Sequence, residues 1–398
     1  MGLLRYFLIV LLFIFPIAEI GSLQIGALSI NINDVFVFIF ASVWLLFNNR
    51  NLKKNRGFLT KPILIFATIC LLSLLLNLFN LNTQNFLISF LYLLRWVSYA
   101  VIYLALINEN KKFINTYKYL LLIPISAILF LGYVQYSFYQ NLRNLFYLGW
   151  DEHLYRLFSS FLDPNFAGIF FVISFIYLLY LSYEMYLKKN KLRLSGLIFL
   201  SIASFIAIFL TYSRSALISL IVSFIVLLIL INKKKLIIFF VAAILIFVII
   251  SPNAFKTEGT NLFRTASSQA RLDSTGSAVK VIKSSPFFGV GFNAYRYAKY
   301  RLNIATDEKW EITRSGAGTD NSFLFVLATT GVMGFIAYLY LLYRMFLLGK
   351  TSIKKQKFAI VFISCLIGAI INSFFINSLF YVYIMEFIWI FAAVTENS

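Results

Sequence analysis

Long runs of apolar residues recur along the whole chain, and short polar segments separate them. A membrane-spanning helix needs about 20 mostly apolar residues. The run from 195 to 232 is divided at TYSRS (211–215), because a single helix of that length would overshoot the bilayer. The pattern predicts one all-α, polytopic membrane domain over residues 1–398, with about twelve transmembrane helices. The predicted spans are residues 4–20, 30–48, 62–80, 86–107, 118–138, 162–186, 195–212, 214–232, 236–252, 321–346, 358–376 and 379–395.

The distribution of lysine and arginine predicts that both termini are cytoplasmic. Each even-numbered span from the second to the tenth is followed by a loop with several basic residues, while the loops after the first, third and eleventh spans carry none. Short basic loops remain on the cytoplasmic side of a membrane. The five basic loops begin at Arg50, Lys111, Lys188, Lys233 and Lys350. The remaining connections are therefore expected to be external.

The connection between the ninth and tenth spans, residues 253–320, is much longer than the others and is rich in basic residues. Loops longer than about 60 residues are largely exempt from the charge rule, so this one can still be external. Long connections are usually functional. We expect short helices around SAVKVIK and FNAYRYAKYR, and we expect this loop to form part of the active site.

Composition narrows the class of protein. Apolar residues make up 61% of the chain and charged residues 13%, against about 25% charged in an average soluble domain. A water-soluble enzyme and a disordered protein are therefore excluded. The net charge of +20 is explained by the basic loops, so nucleic acid is not expected as a partner. Two cysteines and one histidine are too few for a disulfide framework or a Cys/His metal cluster.

Arg214, in TYSRSAL between the seventh and eighth spans, is the first candidate for chemistry. A charged side chain near the membrane boundary is costly unless it has a partner, and it is a functional candidate by default. Arginine also suits bidentate recognition of phosphate. The alternative is a snorkelling anchor, although such anchors usually lie on the cytoplasmic side.

A second candidate is a basic and aromatic cluster that follows PFFGVGF in the long loop. Gly289 and Gly291 are wrongly placed for a nucleotide-binding loop, because no strand precedes them. Cations and tyrosine rings together suit a sugar that carries phosphate, and the alternative is an amphipathic helix on anionic headgroups. The cluster consists of Arg296, Lys299 and Arg301 with Tyr295, Tyr297 and Tyr300.

Two acidic motifs stand at predicted helix starts. Asp320 and Asn321 precede the tenth span, and Asp163 precedes Pro164 and Asn165 at the start of the sixth. Ordinary helix capping is the alternative at both places.

Four other polar residues have a structural interpretation. Asp34, Arg95 and Glu386 fall within spans, where each must face protein or water, and we favour structural pairing for them. His153, the single histidine, lies beside Asp151 in an external loop and is interpreted as solvated.

Four motifs occur in a specific order: FLDPNFAG, TYSRSAL, the stretch from Arg271 through PFFGVGFNAY, and TDNSFLFVLATTGVMGF. Their order and placement resemble the O-antigen ligase and polymerase family, polytopic glycosyltransferases that act on undecaprenyl-diphosphate-linked sugars. The resemblance implies that Arg214 and Arg271 bind the substrate diphosphate. Family members commonly carry His-Asn before the tenth span, whereas this chain carries Asp320 and Asn321. That departure and the DPN motif favour a polymerase over a ligase.

The resemblance implies an enzyme of a bacterial cytoplasmic (inner) membrane that polymerises lipid-linked oligosaccharide repeat units on the outer face. The product would be a capsule, an exopolysaccharide, a teichuronic-type polymer or an O-antigen. Asp320 is the first candidate for the catalytic base and Asp163 the second. One direct displacement would invert the anomeric centre. The residues expected to contact sugar or lipid phosphate are Arg296, Tyr297, Lys299, Tyr300, Asn321 and Asn165.

The donor is already activated, so we expect no cofactor and no obligatory metal. The expected partners are the undecaprenyl-diphosphate-linked oligosaccharide and the bilayer, and a chain-length regulator is a further candidate. Two alternatives stay open. One is an O-antigen ligase that transfers the glycan to another lipid or a protein. The other is a lipid-linked oligosaccharide flippase, which twelve spans and buried charges suit equally but which does not explain a basic, aromatic loop on one side only.

Overall fold

The computed structural model describes residues 2–48, 57–250, 259–262, 265–305 and 317–397. The basic loop at 49–56 and parts of the long loop, 251–258, 263–264 and 306–316, lie outside the described residues. The α-helices of the described ranges are α1 (Gly2–Ile14), α2 (Ile32–Asn48), α3 (Thr60–Leu76), α4 (Thr83–Leu106), α5 (Lys111–Leu120), α6 (Leu122–Phe138), α7 (Pro164–Leu187), α8 (Lys191–Leu210), α9 (Arg214–Leu230), α10 (Lys235–Ile250), α11 (Ala266–Ser284), α12 (Tyr295–Arg301), α13 (Ser322–Ser352), α14 (Phe358–Asn372) and α15 (Val382–Asn397). Short 3₁₀ segments are Phe15–Gly21, Leu78–Asn80, Arg143–Leu148, Ser159–Phe161 and Ser378–Phe380.

Each of the twelve predicted spans overlaps a helix, although the second begins in the strand Leu28–Asn31 and the last two residues of the ninth lie outside the described residues. Among the residues that the structure describes, six helical stretches are long and apolar enough to cross a membrane, namely Gly2–Gly21, Thr83–Leu106, Lys111–Phe138, Pro164–Leu187, Lys191–Leu210 and Ser322–Ser352. Five more apolar helices are shorter: Ile32–Phe47, Thr60–Leu76, Arg214–Leu230, Lys235–Ile246 and Phe358–Asn372. The protein is therefore a mostly helical, multi-pass membrane protein, while the count of about twelve spans stays a prediction.

The first connection contains a feature that apolar periodicity did not predict. Residues Ser22–Ile25 (β1) and Leu28–Asn31 (β2) form an antiparallel hairpin in which Ile25 pairs with Leu28. Gly26 has a φ of 59°, which the first central residue of a two-residue type II′ turn requires. The hairpin leads directly into α2.

Helix α13 is broken at Gly331, where φ is 63° and ψ is −168°. The segment 286–291, which contains the PFFGVG motif, packs against this break. Four backbone hydrogen bonds of 2.9–3.2 Å join residues 286–291 to residues 328–333. These hydrogen bonds give partners to the peptide groups that lose their helical bonds at the break. Irregular backbone is tolerated within a membrane only when its peptide groups have such partners.

Helix α3 holds the same junction from the other side. The Ser73 hydroxyl reaches the carbonyl oxygens of Phe288 and Thr329, at 2.6 and 2.8 Å. The Asn77 amide nitrogen donates to the carbonyl of Gly289 at 3.0 Å. The glycine-containing motif is therefore a packing junction that ties the long loop to α13 and α3.

Helix α7 is largely buried and packs against α8, α9 and α14. Around it, α13 packs on α3, and α15 packs on α4. Burial of α7 places its first residue, and Asp163 just before it, within the bundle and not at its edge.

The predicted pairing of charges within the spans is present. Asp34 and Arg95 form a salt bridge of 2.8 Å between α2 and α4. Glu386 of α15 accepts a hydrogen bond of 2.8 Å from Asn33. The Asn33 amide also donates to Tyr99, so these side chains form one buried network.

Contacts between helix termini define the two ends of the bundle. At one end, Asn397 donates to the carbonyl of Leu106 at 2.9 Å, and Arg5 pairs with Glu109 at 2.8 Å. The connection before α14, which is predicted to be cytoplasmic, adjoins this end, because Gln356 donates to the carbonyl of Thr395. The opposite end carries the starts of α7, α9 and α13, and is called the site end below.

Candidate active site

A cavity of about 370 Å³ opens at the site end. The 3₁₀ segment Phe15–Gly21, the hairpin, residues 149–153, the start of α7, helix α12 and the segment before α13 all contribute to its wall. Polar lining residues include Glu19, Gln24, Ser29, Tyr92, Asp151, His153, Asp163, Arg296, Thr319, Asp320 and Asn377. Aromatic lining residues are Trp150, Phe161, Phe166 and Tyr381. A chamber with polar groups and several rings suits an oligosaccharide, because rings pack against the apolar faces of sugars.

Asp163 is the N-cap of α7. Its carboxylate accepts a hydrogen bond of 2.6 Å from the backbone N–H of Asn165, and Pro164 occupies the first helical position. Burial raises the pKa of the Asp163 carboxyl, and the backbone hydrogen bond together with the nearby Arg156 guanidinium opposes that rise. The capping alternative therefore applies at Asp163, while its carboxylate also lines the cavity.

Asp320 differs from Asp163, because its neighbour performs the capping. Asn321 accepts hydrogen bonds from the backbone N–H groups of Phe323 and Leu324, at 2.8 and 3.1 Å. Its amide nitrogen donates to the carbonyl of Phe374 at 3.2 Å. The Asn321 side chain, which was predicted to contact the substrate, thus caps the start of α13. The Asp320 carboxylate is not part of this cap.

The electrostatic surroundings of Asp320 suit a proton acceptor. Loss of hydration at the cavity wall raises the pKa of its carboxyl; Arg271 and Lys299 oppose that rise, and Asp163 and Asp151 add to it. A carboxylate with a raised pKa is a stronger base than an ordinary one.

Arg271 is coupled electrostatically to both Arg214 and Asp320. Arg214 is the first residue of α9, and its guanidinium donates to the Ser268 hydroxyl of α11 at 3.1 Å. Arg271 lies one turn further along α11, 5.9 Å from the ring centre of Phe375. Burial and the charge of Arg214 lower the pKa of Arg271, while Asp320 and Asp163 raise it. Two cations and two carboxylates therefore share one electrostatic environment.

Two side-chain contacts connect these elements. The Ser213 hydroxyl, at the N-cap of α9, donates to the Asn165 side-chain oxygen at 2.9 Å. The backbone N–H of Asp320 donates to the Ser274 hydroxyl of α11 at 3.3 Å. Asn165, predicted as a substrate contact, thus links the starts of α7 and α9.

The side chains of the basic and aromatic cluster of α12 lie in different surroundings. Arg296 is buried and lines the cavity. Tyr297 is buried, and Tyr300 is exposed. The Lys299 ammonium lies 5.7 Å from the ring centre of Tyr295, and burial lowers its pKa. Of the four predicted contacts, Arg296 is the one that the described cavity lining includes.

Two residues near the cavity, Glu19 and Arg156, were missed in the sequence. Glu19 is buried and accepts a hydrogen bond of 3.3 Å from Asn31. Arg156 is buried and donates to the carbonyl of Thr211 at 2.9 Å. The acidic residue within the first predicted span was a signal for Glu19, and a basic residue in a predicted external loop was a signal for Arg156. His153, interpreted as solvated, lines the cavity and is only partly exposed.

The arrangement can hold an anion and accept a proton. Arg296 lines the cavity together with Asp163 and Asp320, and Arg271 and Lys299 act electrostatically on Asp320 without being among the described lining residues. Within the ranges that the structure describes, no three side chains of the His, Cys, Asp and Glu types come together in a way that could hold a metal ion.

Comparison with known proteins supports the motif analysis. No curated protein matches the chain. The family model described as O-antigen ligase matches residues 197–339. The match includes Arg214, Arg271, Arg296 and Asp320. Asp163 lies before the first matched residue. The resemblance to the O-antigen ligase and polymerase family is therefore confirmed over residues 197–339 of this multi-pass membrane protein.

Proposed function

We propose that the protein is a membrane glycosyltransferase that polymerises undecaprenyl-diphosphate-linked oligosaccharide repeat units on the outer face of a bacterial cytoplasmic membrane. The observation that carries the proposal is the electrostatic coupling of Arg271 to Arg214, Asp320 and Asp163, because both carboxylates line a cavity with polar and aromatic walls. The expected topology, with both termini cytoplasmic, puts this site outside.

In the proposed reaction, the terminal sugar hydroxyl of the acceptor attacks the anomeric carbon of the donor. The bond from that carbon to the phosphate oxygen breaks, and its electron pair leaves with undecaprenyl diphosphate. Arg214 and Arg271 stabilise the negative charge that develops on the leaving diphosphate. Because guanidinium groups bind phosphate oxygens through two parallel hydrogen bonds, they also orient it.

The proton of the attacking hydroxyl passes to the carboxylate of Asp320. Its position in the cavity wall and its raised pKa support this role. Asp163 is the second candidate, because its carboxylate also lines the cavity but already accepts the N–H bond of its cap. A single displacement of this kind inverts the anomeric centre.

The partners in this proposal are the lipid-linked oligosaccharide and the bilayer, and a chain-length regulator would act on the same product. A polymerase is favoured over a ligase because an acidic residue, Asp320, stands where the family commonly has histidine. A carboxylate is a suitable base for a sugar hydroxyl when the donor carries its own leaving group.

The test uses purified protein in lipid nanodiscs with lipid-linked repeat units extracted from the producing cells. A polymerase converts them into a ladder of products that rise by one repeat unit and releases undecaprenyl diphosphate. Transfer only to an added lipid or protein acceptor would identify a ligase. Movement of lipid-linked units across a vesicle membrane without any glycosidic bond formed would identify a flippase.

A further inference from the structure

A second cavity, of about 200 Å³, lies beside the first and has a different character. It is a groove between the hairpin, the first two turns of α2 and the site-end half of α4. Its walls are apolar, and its upper edge is formed by β2. The apolar residues of the groove are Leu28, Ile30, Val35, Phe38, Leu91 and Leu94.

The floor of the groove is an ion pair that is already neutralised. The Arg95 guanidinium lies 2.8 Å from the Asp34 carboxylate and 4.5 Å from the ring centre of Tyr92. Tyr99 donates a further hydrogen bond to Asp34 at 3.1 Å. An anionic headgroup therefore gains little from Arg95, because Asp34 cancels its charge at close range. The groove suits an uncharged, apolar ligand.

The groove and the polar cavity are neighbours. Tyr92 lines both of them, and its hydroxyl accepts a hydrogen bond of 3.1 Å from the backbone N–H of Ser29. Ser29 lines the polar cavity, whereas Leu28 and Ile30 on either side of it line the groove. A molecule with a polar half and an apolar half can therefore occupy both spaces across Tyr92.

The groove belongs to different helices from the arginine pair. Arg214 and Arg271 lie on α9 and α11, and these helices pack mainly against α7, α13 and α14. The groove is formed by α2 and α4, which pack against each other and against α15 and α3. A reaction between two lipid-linked molecules needs two places for apolar chains, and this arrangement separates them.

We propose that the groove binds the polyprenyl chain of the acceptor, the lipid-linked molecule whose sugar hydroxyl attacks. The acceptor's sugars then enter the polar cavity past Tyr92, and the donor's diphosphate lies at Arg214 and Arg271. This inference rests on the proposed function for the role of the ligand, while the binding of a polyprenyl chain can be tested without any reaction.

The binding test replaces Leu91 with the photoreactive residue benzoylphenylalanine. Leu91 is 43% exposed in the groove wall; the control carries the same residue at Leu46, which is 81% exposed on α2 outside the groove. Each protein is irradiated in phosphatidylglycerol nanodiscs that contain undecaprenyl phosphate. We expect the share of undecaprenyl among the lipid adducts to be at least about tenfold higher at 91 than at 46. Equal shares at both positions, or phospholipid adducts alone at 91, would show a surface for ordinary bilayer lipid and overturn the proposal.

The kinetic test narrows the groove with Val35→Trp, and Leu46→Trp is the matched control on the same helix. The expected result is a rise in KM of about tenfold or more for acceptors with a full-length polyprenyl chain, because the buried chain loses apolar contact area. KM for a farnesyl-linked acceptor and kcat with saturating acceptor should stay near wild type. An unchanged KM for the long-chain acceptor, or the same rise in Leu46→Trp, contradicts the groove. If the wild type forms no polymer, the proposed function fails, and the adducts at position 91 still decide whether the groove binds polyprenyl chains.

Discussion

Asn321 caps helix α13, and its neighbour Asp320 does not. Both Asn321 contacts to backbone N–H groups are within 3.1 Å, whereas Asp320 faces the cavity with Arg271 and Asp163 in its surroundings. The two residues are adjacent in the chain, yet one stabilises the helix start and the other is left for chemistry. This division makes the role of each residue separately testable.

Asp320→Asn should abolish most of the activity without unfolding the protein. The amide cannot accept the hydroxyl proton, so turnover should fall by about 100-fold or more. Asn321→Ala is the matched control, and it should lower stability by about 1 kcal/mol because the helix loses its cap. Turnover on lipid-linked repeat units and thermal unfolding in detergent measure the two effects. Near wild-type turnover in Asp320→Asn would reject it as the base and direct attention to Asp163.

Arg214→Lys and Arg271→Lys should each shorten the polymer while leaving protein levels near normal. Lysine keeps the charge but lacks the planar group that binds phosphate through two hydrogen bonds. Lys283→Gln is the control, since it removes an exposed cation from the same helix α11. Polymer ladders on gels from cells that carry each variant give the result. Wild-type ladders from both arginine variants would remove the diphosphate role.

The pH dependence of turnover should respond in opposite directions to two neighbours of Asp320. The reaction needs the ionised carboxylate, so the rate falls as pH drops through the pKa of Asp320. Asp163→Asn removes a negative charge that raises this pKa and should move the acid limb to lower pH. Arg271→Gln removes a positive charge that lowers it and should move the limb to higher pH. Rate profiles of kcat that shift the same way in both variants would contradict this electrostatic account.

Gly331→Ala should destabilise the protein. The backbone at Gly331 is of a kind that other residues adopt at a cost of about 1–3 kcal/mol. A Cβ there would also stand 2.3 Å from the carbonyl carbon of Phe287. Gly276→Ala in α11 is the control, because its Cβ would meet no atom within 4 Å. The midpoint temperature of thermal unfolding in detergent should fall for Gly331→Ala and should stay the same or rise for Gly276→Ala. Equal midpoints for the two variants would mean that the junction accommodates the added methyl group without loss of stability.

Single cysteines should report the expected topology. A membrane-impermeant thiol reagent should label position 310 in intact cells, and positions 54 and 190 only in opened cells. The two native cysteines, Cys70 and Cys365, are buried and should contribute little background. External labelling at 54 or 190 would reverse the topology and move the candidate site to the cytoplasmic face.

The sequence predicted the helices better than the interruptions in them. Run length alone located helix at each predicted span, because the bilayer sets that length. It could not predict the break at Gly331, since glycine is common in membrane helices and the break depends on the distant segment 286–291. The fifth predicted span is likewise divided at Leu121 into α5 and α6.

Only some of the residues of the candidate site could be predicted from the sequence. Charged residues at helix starts stood out against an apolar background, so Asp163, Arg214 and Asp320 could be selected. Which neighbour caps a helix depends on side-chain geometry, and TDNS offers several capping residues in a row. Glu19 was visible as an acidic residue inside an apolar run, but its place in the cavity wall depends on the hairpin that follows it.

The salt bridge between Asp34 and Arg95 has a consequence for how the chain is assembled in the membrane. Each charge alone makes its helix costly to insert, and the two helices are separated in synthesis by α3. Helix α2 reaches its stable position only after α4 has been made and has supplied the opposite charge. We therefore expect the stable insertion of α2 to depend on the synthesis of α4, so that the order of the helices in the chain sets the order in which charges are neutralised.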